Sequence, residues 1–395
     1  MTLFILAGIV VVISGLLALF NVSSTYNAVV ADKLDYASTT EAINSLFNLR
    51  GIKYIFSNTV LNFANFTVLS HLIIVLLGIG IMEYSGFLRL AIGLLTKKAP
   101  KKLITFTIVF FCIIASIMDN LPFVAFIPLA ALIFKHGKRN PNIGVIASFA
   151  ALTCGYGLSI FMTSIDSALR TLTITAAKIL DVNYKIGVYS TMFIMIVGII
   201  ILSIVITYIT ENIIAKKLPK YEFDENEVLE DDGIVDKHEL RGLIFAISGS
   251  LLYLIIFIYN IIPGLPFSGN FLNYSETLYI DKLFGANSFF NSGFIFVITF
   301  MFFLIGFLYG LGAKTIENHK DVCDFLSRSL DGIGKVIILL FFASIFVSLY
   351  KYTNIGGLIT AVFSNIIYKS NFTGLPLVAL IIFASVITTV FLPSI

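Results

Sequence analysis

Read from its N-terminus, the chain is a succession of long apolar runs divided by short polar links. Runs near the ~17–25 residues that cross a bilayer as helix are Leu3–Phe20, Thr67–Met82, Ile143–Ile165, Val188–Tyr208, Leu243–Ile262, Ser292–Tyr309 and Val336–Tyr350. The first lies where a signal peptide would. It has no basic region ahead of it and no small-residue cleavage site behind it, so it is a span. Tyr84, Tyr189, Tyr208, Tyr259, Tyr309 and Tyr350 stand at run ends, where the ring suits the interface between lipid and water.

One run breaks the pattern. Leu103–Phe134 is apolar but interrupted by Asp119-Asn120-Leu121-Pro122, and it is flanked on both sides by basic stretches, KKAPKK and KHGKRNP. Each arm is about 12–16 residues, roughly 18–24 Å of helix, too short for a ~30 Å hydrocarbon core. A helical hairpin that enters and leaves on one side fits these constraints. Two short tilted spans joined by an outer Asp-Asn turn are the alternative. At a hairpin tip, Pro122 removes a backbone donor, and the freed carbonyls need water, an ion or a substrate.

The same order recurs later. Val336–Tyr350 is followed by a broken amphipathic stretch (Asn354–Tyr368), a polar link and an apolar run from Leu375, just as Thr67–Met82 is followed by Tyr84–Leu95, a link and the hairpin. Ala115-Ser116 precedes Leu121-Pro122, and Ala384-Ser385 precedes Leu392-Pro393. By parity the second hairpin enters from the opposite side. Two like-ordered halves of opposite orientation are the inverted repeat of secondary transporters, whose sites form at broken helices near the midplane. Ile143–Ile165 is a third interrupted element, with Thr153, Gly155, Gly157 and Ser159 inside it. Such residues also serve close helix packing; next to a hairpin they predict an unwound, cavity-lining stretch. Asp119 is the one carboxylate in the middle of an apolar run, where an ionised group is costly and marks function. Glu83 and Asp166 lie at run ends and read as interfacial; His71, near the outer end of its span, reads as a packed or interfacial residue.

Composition excludes most other classes. Apolar residues make up 58% of the 395 and charged residues 12%, with a mean hydropathy of +0.97. A soluble protein carries about 25% charged residues, so a soluble enzyme, a disordered tail and a nucleic-acid binder are all ruled out. Cys112, Cys154 and Cys323 are scattered and form neither a disulfide framework nor a metal motif. Most lysines and arginines fall on one side if the N-terminus is cytoplasmic, including Lys97, Lys98, Lys101, Lys102, Lys138 and Arg139. The stretch from Glu211 to Arg241 is acidic and reads as a solvated cytoplasmic linker. His238-Glu239 lacks a second histidine at zinc spacing, and Gly310–Thr315 lacks the full spacing of a phosphate loop and any strand before it. The chain is expected not to be an enzyme. The domain reading is 1–208 as a first membrane repeat with its hairpin at 103–134, 209–241 as the linker, 242–291 as a connecting span and outer loop, and 292–395 as a second repeat.

Strings along nearly the whole chain, among them GIGIMEYSGFL, IPLAALIFKHGKRNP, IDSALRTLTITAAKILD, YGLGAKTIENHKDV and FFASIFVSLYKYTNIGG, resemble the aminobenzoyl-glutamate transporter (AbgT) family. The resemblance implies an all-α inverted-repeat transporter with nine spans and two re-entrant hairpins. It also implies a homodimer in the plasma membrane, elevator-like alternating access, and ion-driven transport of aminobenzoate-type aromatic carboxylates, either inward or as efflux of antimetabolites. No cofactor is implied; the coupling ion is Na⁺ or H⁺. Carried over by position, the first hairpin tip falls on Asp119-Asn120, where the family has Ser-Asp, and the Asn of the family's unwound span falls on Ser159. Asp166, Asn354 and Gly356 match; Thr353 replaces Ser, Ile345 a Gln and Thr389 an Asn. The expected substrate site is thus Asp119, Asn120, Gly155, Gly157, Ser159, Thr389 and Ser394, with Asp119, Asn354 and Gly356 handling the ion. A dicarboxylate carrier of the same architecture and an ion channel are the rival readings. By symmetry the sequence stops within its second hairpin, at Leu392–Ile395. The expectation is that a returning arm, a second broken span and a last span, on the order of 80–110 residues, are needed to complete the site.

Overall fold

The computed structural model describes residues 2–29, 36–118, 121–160, 164–178, 181–187, 190–219, 221, 236–276, 279–285 and 288–391. The protein is a helical membrane protein. By length and composition seven helical stretches among the described residues can cross a bilayer: Thr2–Leu19, Leu49–Tyr84, Lys101–Met118, Met192–Lys217, Lys237–Ile261, Phe289–Ala313 and Gly334–Thr353. Six of the seven apolar runs reappear within these spanning stretches; Ile143–Ile165 does not, because its helix stops at Cys154.

The chain divides into two compact units, one of residues 1–70 with 332–395 and one of residues 71–331. The first unit holds α1 (Thr2–Leu19), β1 (Ser23–Val29), β2 (Tyr36–Ala42), α2 (Leu49–Ala64), α15 (Gly334–Thr353), α16 (Ile355–Lys369) and α17 (Leu375–Phe391). The second holds nearly all of α3 (Thr67–Tyr84), then α4 (Phe87–Lys98), α5 (Lys101–Ala115), α6 (Leu121–His136), α7 (Pro141–Cys154), α8 (Ser164–Ala177) and α9 (Met192–Ile209). It continues with α10 (Ala215–Lys217), α11 (Lys237–Ile261), α12 (Tyr279–Phe284), α13 (Phe289–Ala313) and α14 (His319–Ser329).

Two elements escape a search for apolar runs. Residues 23–29 and 36–42 pair as an antiparallel hairpin with Ser23 opposite Ala42 and Thr25 opposite Thr40, so the fold is not wholly helical. Ser, Thr and Tyr at these positions suit an extended, half-exposed backbone. Helix α2 carries Lys53, Ser57, Asn58 and Asn62 among its apolar residues, which hides it from hydropathy. It starts where Asn48 Oδ1 accepts the Gly51 N–H at 2.7 Å.

In the first unit Ala7 and Val10 of α1, Leu46, Leu349 of α15 and Ile355 of α16 form the buried core. Tyr54 and Tyr352 stack at 4.2 Å beside it. The second unit has two cores. One gathers Val75, Ile79 and Met82 of α3 with Met118, Ala125, Phe290, Phe294 and Phe302. The other joins the hairpin's first arm to the helices after it, through Val109, Cys112 and Ile113 of α5, Ala147, Ala151 and Leu152 of α7, and Ile199 and Ile206 of α9. Phe126 of α6 packs against both.

Candidate functional site

The interrupted run at 103–134 folds as the two helical arms of a hairpin, but the first, Lys101–Met118, is long and apolar enough to cross a bilayer rather than too short for it. Helix α5 begins at Pro100-Lys101, where Pro needs no donor, and tightens into a 3₁₀ turn over Ser116–Met118. Helix α6 resumes at Leu121, with Pro122 in its first turn, where the missing N–H has no helical partner to lose. Asp119 and Asn120 lie outside the described residues, as does Ser394.

The expected break after the hairpin is present. Asn140 Oδ1 accepts the Asn142 N–H at 2.9 Å, Pro141 opens α7, and the helix stops at Cys154. Gly157 has φ +86, a left-handed conformation only glycine adopts without strain. Gly155 is needed for closeness: a Cβ there would lie 2.5 Å from Ala151 O and 2.9 Å from Ile113 Cγ1. Helix α7 therefore ends flush against α5. Ser159 is buried beyond the break, and Tyr156 is half exposed.

A residue not anticipated as part of the site joins the two elements. Ser116 Oγ, buried in the hairpin turn, lies 2.6 Å from Ile113 O and 3.0 Å from Gly155 O, so its proton is shared between its own turn and the broken span. The Gly155 carbonyl also accepts the Leu158 N–H at 2.9 Å. The structure thus brings Gly155 to the hairpin turn through Ser116, with Gly157 and Ser159 following it in the chain. Its sequence signal was modest: Ala115-Ser116 recurs as Ala384-Ser385 before the second Leu-Pro.

The hairpin's base is tied down by charge. Arg139 Nη2 reaches Glu211 Oε1 at 2.6 Å, with both side chains about 10% exposed. Arg139 Nη1 donates to Thr105 Oγ1 at 2.9 Å, the Thr105 hydroxyl donates to the same carboxylate, and the guanidinium lies 4.3 Å over the Phe134 ring. Glu211 sits in a π-helical turn, Thr210–Ile214, that continues α9. This corrects the reading of Glu211 as the start of a solvated linker: a carboxylate bonded by a buried guanidinium and a hydroxyl belongs to the helical core. Glu83, expected at an interface, is instead mostly buried and 2.5 Å from His136 Nε2 at the end of α6. Asp166 is in the first turn of α8 and half-buried, where helix N–H groups favour a carboxylate.

The remaining expected residues fall in the other unit. Asn354, with φ +58, is the joint between α15 and α16. Its Nδ2 donates to Glu41 Oε2 at 2.6 Å and to Ala42 O at 3.2 Å, so the amide expected to handle a cation also holds a carboxylate of the β-hairpin. Gly356 is buried in the first turn of α16. Glu41 was missed because nothing in a polar STTEA stretch announces a long-range partner. Thr389 is exposed and donates to Ser385 O of its own helix at 2.7 Å. Among the described residues no three His, Cys, Asp or Glu gather as a metal site.

The chain as a whole is similar to known proteins. The p-aminobenzoyl-glutamate transport protein of Escherichia coli (strain K12) is 23% identical over 338 residues, 86% of this chain and 64% of that protein, so the chain spans less than two thirds of that relative's length. The structure of Neisseria gonorrhoeae MtrF, said to illuminate a class of antimetabolite efflux pumps, matches with TM-score 0.56 and 28% identity over 94% of this chain and 72% of its own. The Alcanivorax borkumensis YdaH transporter, whose topology is described as unusual, shares the fold with TM-score 0.54 at 20% identity, over 94% of this chain and 74% of its own. The sequence model of the AbgT transporters matches residues 1–394, the same near end-to-end span over which the helices, hairpin and broken α7 were just described, and the chain belongs to that family.

Proposed function

We propose that this protein is the membrane core of an ion-coupled secondary transporter for aromatic carboxylates of the aminobenzoate type, placed in the plasma membrane with its N-terminus in the cytoplasm and working as a homodimer. The observation that carries this reading is the bond from Ser116 to Gly155, which joins a helical-hairpin turn to the end of a broken helix. A helix that starts at such a turn presents N–H groups without intrahelical partners, and one that stops there presents free carbonyls. The first attract an anion and the second a cation. The start of α6 would meet the substrate carboxylate, and the end of α7 with Ser159 would line the cavity. Asp119, by sequence the mid-run acid of the hairpin, would carry the coupling charge as a proton carrier or an Na⁺ ligand. Asn354 would act on this cycle indirectly, by fixing the joint between α15 and α16 through Glu41.

Flux of labelled aminobenzoyl-glutamate and of aminobenzoate in proteoliposomes, under separate Na⁺ and H⁺ gradients, tests the proposal. One gradient is expected to drive accumulation or extrusion, and Asp119→Asn to abolish or uncouple it while the protein remains folded. Equal flux with and without either gradient would overturn the coupling. Conductance far above carrier turnover would make the protein a channel.

A further inference from the structure

Three basic segments converge at the base of the hairpin. The Arg139 guanidinium touches Lys101 O at 3.5 Å and Glu211 at 2.6 Å, and Asn140 Nδ2 donates to Pro219 O at 3.0 Å. The start of α5, the link between α6 and α7, and the end of α9 with α10 are therefore held side by side. Their lysines, Lys101, Lys102, Lys138, Lys216 and Lys217, all point to solvent. The one acid in these segments is Glu211, and Arg139 already neutralises it. Five ammonium groups remain in one place without a counter-charge from the segments that hold them. A general excess of lysine on the cytoplasmic side accounts for their number but not for a buried ion pair that gathers them.

Their depth is set by what lies next to them. Leu103 is 50% exposed one turn or less from Lys101 and Lys102, and Ile213 is 44% exposed just before Lys216 and Lys217. Helices α5 and α9 pack against each other. Apolar side chains facing outwards beside lysines at the end of a spanning helix are those of a chain leaving hydrocarbon for headgroups, with the ammonium groups extended to the polar layer. We infer that the Lys101/Lys102, Lys138 and Lys216/Lys217 cluster is a binding site for the phosphate of an anionic phospholipid, whose acyl chain lies along the outer faces of α5 and α9. Basic pockets between spanning helices hold such headgroups through charge. The inference stands apart from the transport reading, since it needs only that the helices lie in a bilayer. The competing occupant is internal: the acidic stretch from Glu222 to Asp236 follows α10 in the sequence.

The test is native mass spectrometry of the full chain released from bilayers of equal phosphatidylglycerol and phosphatidylcholine with matched acyl chains. Phosphatidylglycerol is expected to be retained about tenfold over phosphatidylcholine. The combined Lys101→Gln, Lys216→Gln and Lys217→Gln substitutions should bring the ratio close to one, whereas the same three changed to Arg should preserve it. Circular dichroism and thermal unfolding of both variants establish that they remain folded. An equal ratio in the wild type and the Gln variant would overturn the proposal. Displacement of the bound lipid by millimolar inorganic phosphate would assign the cluster to a free anion instead. A preference that emerges only after the carboxylates of the 222–236 stretch are changed to amides would show that the chain itself fills the cluster, and would equally overturn it.

Discussion

The two polar clusters of this protein are built in opposite ways. In the second unit the hairpin turn meets the end of α7 where a serine hydroxyl reaches a backbone carbonyl of that helix, and the space beside Gly155 is closed in part by backbone, Ala151 O, along with the Ile113 side chain. In the first unit the Asn354 amide donates to the Glu41 carboxylate and to the Ala42 carbonyl, and the atoms nearest the space beside Gly357 belong to the Asn354 and Glu41 side chains. Backbone walls cannot turn aside, whereas side chains can adopt another rotamer. The first arrangement is suited to holding a geometry, the second to tolerating change in it.

The largest expected effect lies in the buried charge that anchors the hairpin. Arg139→Ala and Glu211→Gln should each lower stability by about 3–5 kcal/mol, because each strands a buried charged partner. Arg139→Leu combined with Glu211→Leu should recover most of the loss. Thermal unfolding in detergent measures all three, and an additive double mutant would mean the pair is not coupled. In the first unit, Asn354→Ala removes one bond to a half-buried carboxylate that water can reach. It should cost about 1–2 kcal/mol.

Next come the two glycines. Gly155→Val forces branches against a carbonyl and the α5 wall and should cost about 3 kcal/mol, with loss of transport. Gly357→Ala meets only the Asn354 and Glu41 side chains and should cost about 1 kcal/mol. Comparable losses at both positions would erase the distinction between the two clusters.

A smaller effect separates the two hydroxyls. Ser116→Ala should destabilise by about 1 kcal/mol and slow transport, since it cuts the tie to the broken span. Thr389→Ala should stay within about 0.5 kcal/mol of wild type, because that exposed hydroxyl bonds only its own helix. Transport rate and unfolding temperature, read on the same preparations, decide it.

The smallest effect is local and pH-dependent. The Glu317 and Asn318 N–H groups donate to Asp321 Oδ2 at 2.8 and 3.0 Å, and these bonds hold the Asp321 carboxyl below its ordinary value. A depressed folded-state value means the cap is fully present above the unfolded-state value and is lost as pH falls through the folded one. Amide exchange at Glu317 and Asn318 should accelerate in acid, and Asp321→Asn should remove that pH response.

Much of the fold was legible because lipid imposes one rule: backbone groups must bond within their own segment, so long apolar runs become helices. The hairpin was legible from Asp119-Asn120-Leu121-Pro122 between basic flanks, and the break in α7 from Gly155 and Gly157. Helix α2 and the β-hairpin were not, since their mixed residues satisfy no hydropathy rule and are shaped by what they pack on. In the candidate site, Gly155 and Ser159 were found because small residues inside an apolar run are conspicuous. Ser116, Glu41 and the Arg139–Glu211 pair were not, because each depends on a partner far away in the chain.

The sequence by itself determined most of the apolar helices and the places where they break, since capping, proline and hydrophobicity act within a few residues. Which polar groups meet was decided only in the tertiary structure. Glu211 looked like solvated linker until Arg139, 72 residues away, and Thr105, 106 away, closed on it. The side-chain amide of Asn354 donates not within its own stretch but to Glu41, 313 residues away. A buried charge or amide keeps whichever partner the packing of apolar faces delivers, and that partner is not written in its own neighbourhood.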